Sequence, residues 1–317
     1  MNYHVFNGDA DGLCAVHQLR LVDPVASKLV TGLKRDIRLL DRVKAGTNDR
    51  VTVLDISLNS NRAALVQLLE AGVVIEYFDH HYAGEIPVHP NLTTHIDTSA
   101  QMCTSLLVDR YLEGKYRFWA IAAAFGDNIS ESANRLALQN GLVRPQIEKL
   151  AHLGECLNYN SYGESLEDLH FHPLALYEAM ASYPDPFDFI AESAAFKELA
   201  AGFLDDIRMT ASLRPLLQHA HHAAYLLPDA AWARRVSGVF ANKLANDNPT
   251  CAHAVITIDR AGGYKVSVRA PLANPQGADM LCMKFETGGG RKAAGGINKL
   301  SETGLDTFLG LFAEQFS

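Results

Sequence analysis

The chain has 317 residues, and 36 Asp and Glu against 28 Lys and Arg leave a formal net charge of −8. At about 150 residues per domain this length suits two domains, and an apolar fraction of 48% excludes a globally disordered chain. The acid surplus excludes avid, sequence-independent binding of long nucleic acid, which cationic surface drives. It leaves room for a small anionic substrate held by a local positive cluster.

Cys14, Cys103, Cys156, Cys251 and Cys282 are scattered and form no CxxC pair, as expected of reduced intracellular thiols rather than a disulfide framework or a zinc knuckle. The start, MNYHVFNGDADG, has no basic stretch followed by an apolar one, so no signal peptide is expected. The longest strongly apolar stretch, Phe118 to Phe125, is far short of the roughly 18–20 residues that span a bilayer. A cytoplasmic protein with no membrane partner is the expectation.

Tyr3 to Phe6 predicts a strand. Leu13, Val16, Leu19 and Val22 then recur every three residues, which predicts a helix ended by Pro24. Lys28 to Leu33 and Val51 to Leu54 read as strands, and Asn59 to Ala71 as a helix with Gly72 at its C-cap. Val73 to Phe78 is a nearly continuous apolar run, as expected of a strand buried on both faces of a parallel sheet. This alternation predicts an open, mostly parallel, Rossmann-like α/β sheet.

After about residue 98 the pattern turns helical, with helices predicted over Cys103 to Glu113, Lys115 to Phe125, Asn134 to Gly154 and Pro173 to Tyr183. Beyond the Pro184–Asp185–Pro186 break, Phe196, Leu199, Phe203 and Ile207 form an amphipathic stripe suited to an interdomain connector. From about 215 the alternation restarts. A helix is predicted around Trp232 to Asn246, then strands at Ala252 to Ile258 and Tyr264 to Arg269, joined through Arg260–Ala261–Gly262–Gly263.

Acids and histidines gather where these elements end. Asn7–Gly8–Asp9–Ala10–Asp11–Gly12 lies between a strand and a helix, where ligands collect in open α/β sheets; taken alone, such a turn also suits a solvated loop. Asp55 ends an apolar strand and also suits a helix N-cap. Asp79–His80–His81 ends the most apolar strand, and carboxylate with imidazole suits Mn, Fe, Zn or Co. Asp127 closes the Phe118–Phe125 helix, where an acid opposes the negative end of the helix dipole unless a cation faces it. Carboxylates crowded in one crevice repel unless cations bridge them. Two divalent ions about 3.5–4 Å apart, sharing a carboxylate, would build a phosphoryl-transfer site.

Near the C-terminus, Gly288–Gly289–Gly290 precede Arg291–Lys292. Backbone N–H groups beside cations suit an anion, although the P-loop spacing is absent; a flexible surface turn is the plain alternative. Lys34–Arg35 follows a strand and reads as a solvated charge pair, with contact to phosphate as the lesser alternative. His219, His221 and His222 read as a solvated helical or loop surface. Tyr159, Tyr162, His170 and His172 lie in a loop-rich segment, and one of them could stack on a base.

The order NGDADG, LDIS, FDHH, FGDN resembles the DHH phosphoesterase superfamily, which includes RecJ-type exonucleases, nanoRNases, cyclic-dinucleotide phosphodiesterases, exopolyphosphatases and pyrophosphatases. Gly288 to Gly295 is similar to the GGGH-x-x-AAG signature of the DHH-associated substrate domain, and Val266–Ser267–Val268–Arg269 to its Ser- and Arg-bearing strand. The resemblance implies a DHH domain over residues 1–190, a helical connector over 191–214 and a smaller α/β substrate domain over 215–317, with the active site in an interdomain cleft. It implies Asn7, Asp9, Asp11, Asp55, His80 and Asp127 as ligands of two Mn ions, with Mg or Co as substitutes and Asp55 bridging. His81 would touch the reacting phosphate, Asp79 would orient its neighbours, and a water activated by both ions would attack. Arg269, Gly289, Gly290 and Arg291 would hold the substrate.

Two positions depart from the family pattern. Asn7 stands where many members have His and RecJ-type members Asp, which weakens one metal site. Arg291 replaces a His, so it keeps a phosphate donor but loses a proton donor. The activity implied is hydrolysis of very short linear oligonucleotides, such as 5′-phosphorylated dinucleotides, to 5′-mononucleotides. The alternatives are a phosphatase acting on 3′-phosphoadenosine 5′-phosphate, an exopolyphosphatase or pyrophosphatase, or a catalytically silent nucleotide-binding protein. The expected partner is a short oligonucleotide or nucleotide and not a long nucleic acid; a homodimer is possible.

Overall fold

In the computed structural model, which describes residues 1–317, strands and helices alternate from the start. β1 (Asn2–Phe6), α1 (Ala10–Val22), β2 (Lys28–Val30), β3 (Arg50–Leu54), α2 (Leu58–Glu70), β4 (Val74–Asp79) and β5 (Leu92–Ile96) follow in that order. The five strands form one sheet, ordered β2-β1-β3-β4-β5, in which every pairing is parallel. The apolar strands dictate this: Val5, Val51, Val53, Ile75 and Tyr77 join Leu65, Leu68 and Leu69 of α2 in one buried cluster, each large side chain contributing roughly 1.5–3 kcal/mol on burial. β5 was not legible in the sequence. It is an edge strand of half-buried residues, Leu-Thr-Thr-His-Ile, so it lacks the apolar run of its inner neighbours.

Seven helices follow: α3 (Thr104–Tyr111), α4 (Arg117–Gly126), α5 (Ser130–Gln139), α6 (Arg144–Tyr159), α7 (Pro173–Met180), α8 (Pro186–Glu192) and α9 (Ala194–Thr210). Trp119 to Ala124 of α4 are wholly buried. α4 and α6 meet backbone to backbone, since a Cβ at Gly154 would lie 2.0 Å from the Ala122 carbonyl oxygen. The single helix expected over Asn134 to Gly154 is two. Gly141, at φ 76°, ends α5 in the left-handed conformation, and a proline in the first turn of α6 starts the next.

The chain divides into two compact units, Met1–Ser161 with Ser165–Ala201, and Tyr162–Glu164 with Gly202–Ser317. The second holds β6 (Leu217–Gln218), β7 (His222–Leu226), α10 (Ala231–Asp247), β8 (Ala252–Ile258), β9 (Tyr264–Arg269), α11 (Ala278–Cys282), β10 (Gly288–Arg291), β11 (Ala294–Leu300) and α12 (Leu305–Gln315). Its sheet is mixed, ordered β10-β11-β9-β8-β7-β6, with only β7 and β8 parallel. Two sequence expectations are corrected here. The Gly288–Arg291 run is not a loop but the edge strand β10, turned into β11 through Lys292–Ala293; α11 packs so closely that a Cβ at Gly288 would lie 1.8 Å from the Cys282 carbonyl oxygen. The histidine run is partly core: His222 is buried in β7, its Nδ1 3.2 Å from the Phe316 carbonyl oxygen. No helix is long and apolar enough to cross a membrane.

Candidate metal centre

The strand order of the first sheet reverses at β1, with β2 on one side and β3 on the other, so a crevice opens at the carboxyl ends of β1 and β3, where ligands bind in open α/β folds. Asn7 to Gly12 and Asp55 lie there. Asp9 caps α1, its Oδ1 accepting from the N–H groups of Asp11 and Gly12, both at 3.1 Å. Gly12 permits that turn to fold back on β1, since a Cβ would lie 2.2 Å from the Asn7 carbonyl oxygen. Asp55 (φ 59°) and Asn128 (φ 61°), the residue after Asp127, both adopt left-handed backbone, a strain of about 1–3 kcal/mol each that clusters at functional sites.

His80 gathers the carboxylates. Its Nε2 lies 3.4 Å from Asp55 Oδ1, 3.8 Å from Asp11 Oδ2 and 3.8 Å from Asp127 Oδ2. The ligand atoms of Asp55, His80 and His81 also lie within 4.8 Å of one another. Asp11 is fixed from behind by the N-terminus of α3, its oxygens accepting from the Thr104 and Ser105 N–H groups at 2.7 Å. The Thr104 hydroxyl donates to Asp55 at 3.3 Å. His81 places Nδ1 2.7 Å from Asp79 Oδ1, and Asp79 is wholly buried while the His81 side chain is 45% exposed.

Lys34 enters the same pocket. Its Nζ lies 2.6 Å from Asp9 Oδ2, 3.1 Å from Asn158 Oδ1 and 3.8 Å from Asp127 Oδ1. Lys34 is therefore not the solvated charge the sequence suggests: the turn after β2 brings it onto the end of β1. Asn7 is buried, and its Nδ2 lies 3.4 Å from the Lys34 carbonyl oxygen while its Oδ1 has no hydrogen-bond partner.

The electrostatics follow from this crowding. Burial, then the charges of Asp11, Asp9 and Asp127, push the Asp55 carboxyl well above its ordinary range. Burial also raises Asp127, with Lys34 opposing. Burial alone would raise Asp9, but the Lys34 charge and hydrogen bond, with those from Asp55 and Gly12, hold it down at about 2. Burial would lower His81, yet the hydrogen bond and charge of Asp79 outweigh it and raise it.

A divalent cation fits the His80 cluster. Ligands about 2.1 Å from one ion sit roughly 3 Å apart at right angles, close to the 3.4–3.8 Å that separate His80 Nε2 from each of the three carboxylates, and Asp55, His80 and His81 are the set whose ligand atoms all lie within 4.8 Å of one another. A cation would also relieve the repulsion that raises Asp55. Three carboxylates and an imidazole suit Mn, Fe, Zn or Co.

In the second unit, Arg269 donates to Asn242 Oδ1 at 2.8 Å and to the Val268 carbonyl at 3.1 Å. Arg269 and Arg291 both pair in register with Ala294, from opposite sides. Burial first, and the Arg291 charge as well, lower the Arg269 guanidinium pKa. Gly289 faces open space, and Gly290 has a φ of 143°. Asn7, Asp9, Asp11, Asp55, Asp79, His80, His81 and Asp127 thus come together in the first unit, and Arg269, Gly289, Gly290 and Arg291 at one end of the second sheet. Tyr159 and His170 bond each other at 2.7 Å, and His172 caps α7, accepting from the Leu174 N–H. Sequence reasoning missed Thr104, Ser105 and Asn158; the available signal was the Thr104–Ser105 pair opening a helix, whose free N–H groups need an anion.

No family model matches the sequence, and no curated protein matches it. Solved structures do. The manganese-bound exonuclease RecJ superposes with a TM-score of 0.63 at 16% identity, over 99% of this chain and 89% of that one. RecJ of Thermus thermophilus in complex with Mn2+ gives 0.62 at 17% identity, and this chain spans 52% of its length. The pGpG-specific phosphodiesterase PggH of Vibrio cholerae gives 0.57 at 13% identity, over 99% of both chains. These likenesses establish the fold, a mostly parallel α/β unit followed by a smaller α/β unit. It is the fold that the motif order implies.

Proposed function

We propose that this protein is a metal-dependent phosphodiesterase that hydrolyses very short linear oligonucleotides, such as 5′-phosphorylated dinucleotides, to 5′-mononucleotides. The observation that carries the reading is His80 Nε2 set among Asp11, Asp55 and Asp127 at the sheet's switch point. Those four residues would hold an ion, proposed to be Mn with Mg or Co as substitutes; the two-ion site that the resemblance implies would draw on Asp9 and Asn7 as well. Bound there, a divalent cation supplies activation of water at neutral pH and neutralises phosphate charge.

The chain's own residues do the rest. The Thr104 and Ser105 N–H groups lock Asp11, and the Thr104 hydroxyl orients Asp55. Asp79 accepts from His81 Nδ1 and favours the protonated ring, so the exposed edge of His81 offers a donor to the phosphate. Arg269 and Arg291 would hold a further phosphate as bidentate donors. A short substrate is favoured by the acidic surplus and by the likeness over nearly the full length of both chains to a protein described as a pGpG-specific phosphodiesterase. Long nucleic acid and membrane are not partners in this reading. The enzyme is placed in the cytoplasm, where its five unpaired thiols would stay reduced.

The test is product analysis with Mn present, comparing pGpG, pApA, 3′-phosphoadenosine 5′-phosphate and polyphosphate. Release of 5′-mononucleotides from the dinucleotides is expected. Phosphate release from the bisphosphate nucleotide or polyphosphate alone would move the activity to a phosphatase. No turnover of any of them by folded protein would leave a silent nucleotide binder.

A further inference from the structure

Resting on the metal-centre reading above, we infer that Lys34 is a built-in cation: its ammonium takes the place of the second divalent ion, and the chain binds one ion, at Asp11, Asp55, His80 and Asp127. The second position depends on Asp9, and both oxygens of Asp9 are engaged. Oδ1 accepts from the first turn of α1, and Oδ2 lies 2.6 Å from Lys34 Nζ. An ion there must either displace the ammonium or break the helix cap.

Lys34 is held from several sides. Its N–H donates to the Ser161 carbonyl at 3.3 Å, its own carbonyl accepts from Asn7, and Nζ also reaches Asn158 Oδ1 at 3.1 Å. Asn7 belongs to the same design. Where a His or Asp would bring a strong ligand to the second position, Asn7 turns its Nδ2 to the Lys34 backbone and leaves for a cation only a neutral amide oxygen, the unpartnered Oδ1. The weakened ligand and the intruding ammonium therefore fall on one position, while the His80 cluster stays complete. A lysine ammonium is also a sound point-charge partner for phosphate, and this side chain is 30% exposed, so it can meet substrate as well as Asp9.

The experiment loads the full chain with MnCl2, removes free metal, and measures Mn per chain by mass spectrometry together with its electron paramagnetic resonance spectrum. One ion per chain with an isolated-ion signal is expected. The double variant Asn7→Asp with Lys34→Ala should bind two ions and show an exchange-coupled pair. Two coupled ions in the wild-type chain would overturn the inference and leave the phosphodiesterase reading standing. A folded double variant that still binds one ion would also overturn it, because Lys34 would not be what excludes the second. No ion at all in the folded wild-type chain would instead overturn the metal-centre reading itself.

Discussion

In the first unit, Asp9, Asp11 and Asp55 are no more than 3% exposed, and each is aimed by a helix N-terminus, a hydroxyl or an ammonium. In the second, Arg291 stands exposed on the edge strand β10, and Gly289 beside it faces open space. Buried charge is costly unless its surroundings fix it, so the first arrangement suits chemistry that needs preset geometry. An exposed guanidinium costs little to place and suits capture of a phosphate. Substitutions in the two regions should therefore affect different kinetic constants.

The largest effect should come from His80→Ala. It removes the group around which three carboxylates converge and leaves them facing one another. A fall in kcat on the order of 10³-fold is expected, matching loss of several kcal/mol of metal-derived stabilisation, with a parallel fall in Mn affinity by titration. A variant retaining both would remove His80 from the site and erase the contrast between the two units.

The next effect concerns pH. His17 of α1 is buried against Trp119, with Nε2 2.9 Å from the Tyr183 carbonyl oxygen, and burial lowers it from 6.5 to about 4. The folded state prefers the neutral ring, so the unfolded chain binds more protons between these values. The stability linked to His17 is thus complete above about pH 6.5 and lost as pH falls toward 4. The drop corresponds to roughly 3 kcal/mol. Chemical denaturation of Mn-loaded wild type and His17→Phe at about pH 7.5 and pH 4 should show the difference between them changing by that amount. A constant difference would mean that the ring takes up its proton as readily in the fold as in the unfolded chain.

Third is Gly154→Ala, whose Cβ would lie 2.0 Å from the Ala122 carbonyl oxygen and so push α6 off α4, the helix that ends at Asp127. Overpacking of this kind costs about 1–3 kcal/mol, readable as a lower Tm. Gly289→Ala, which meets nothing within 4 Å, should move Tm by less than about half a kcal/mol equivalent.

Strong local patterns were legible in the sequence, and long-range convergence was not. The inner strands β1, β3 and β4 follow from apolar runs, and the acids at their ends follow from the rule that such sheets bind ligands there. The edge strand β5 was hidden because its residues are half polar. Lys34 was misread because a Lys–Arg pair after a strand is ordinarily solvated. Only the parallel pairing of β1 with β2 brings its ammonium to Asp9, which lies 25 positions away in sequence. β10 was hidden because glycine has low strand propensity; Gly288 reflects the closeness of α11 and Gly290 that of β11, tertiary facts that leave no local pattern.

The smallest kinetic effect tests the second region most directly. Arg291 stands where the signature that this stretch resembles has a histidine, so it can hold a phosphate but cannot exchange protons near neutral pH. Arg291→Ala removes a charge-assisted hydrogen bond, and a rise in KM of about tenfold is expected with kcat nearly unchanged. Because the side chain is exposed, its loss should leave Tm in place, which separates binding from folding. Arg291→Lys keeps the charge and loses the fork, so an intermediate KM is expected if the contact is bidentate and a wild-type KM if only charge matters. A fall in kcat with unchanged KM would place Arg291 in the chemistry and merge the two regions into one catalytic set.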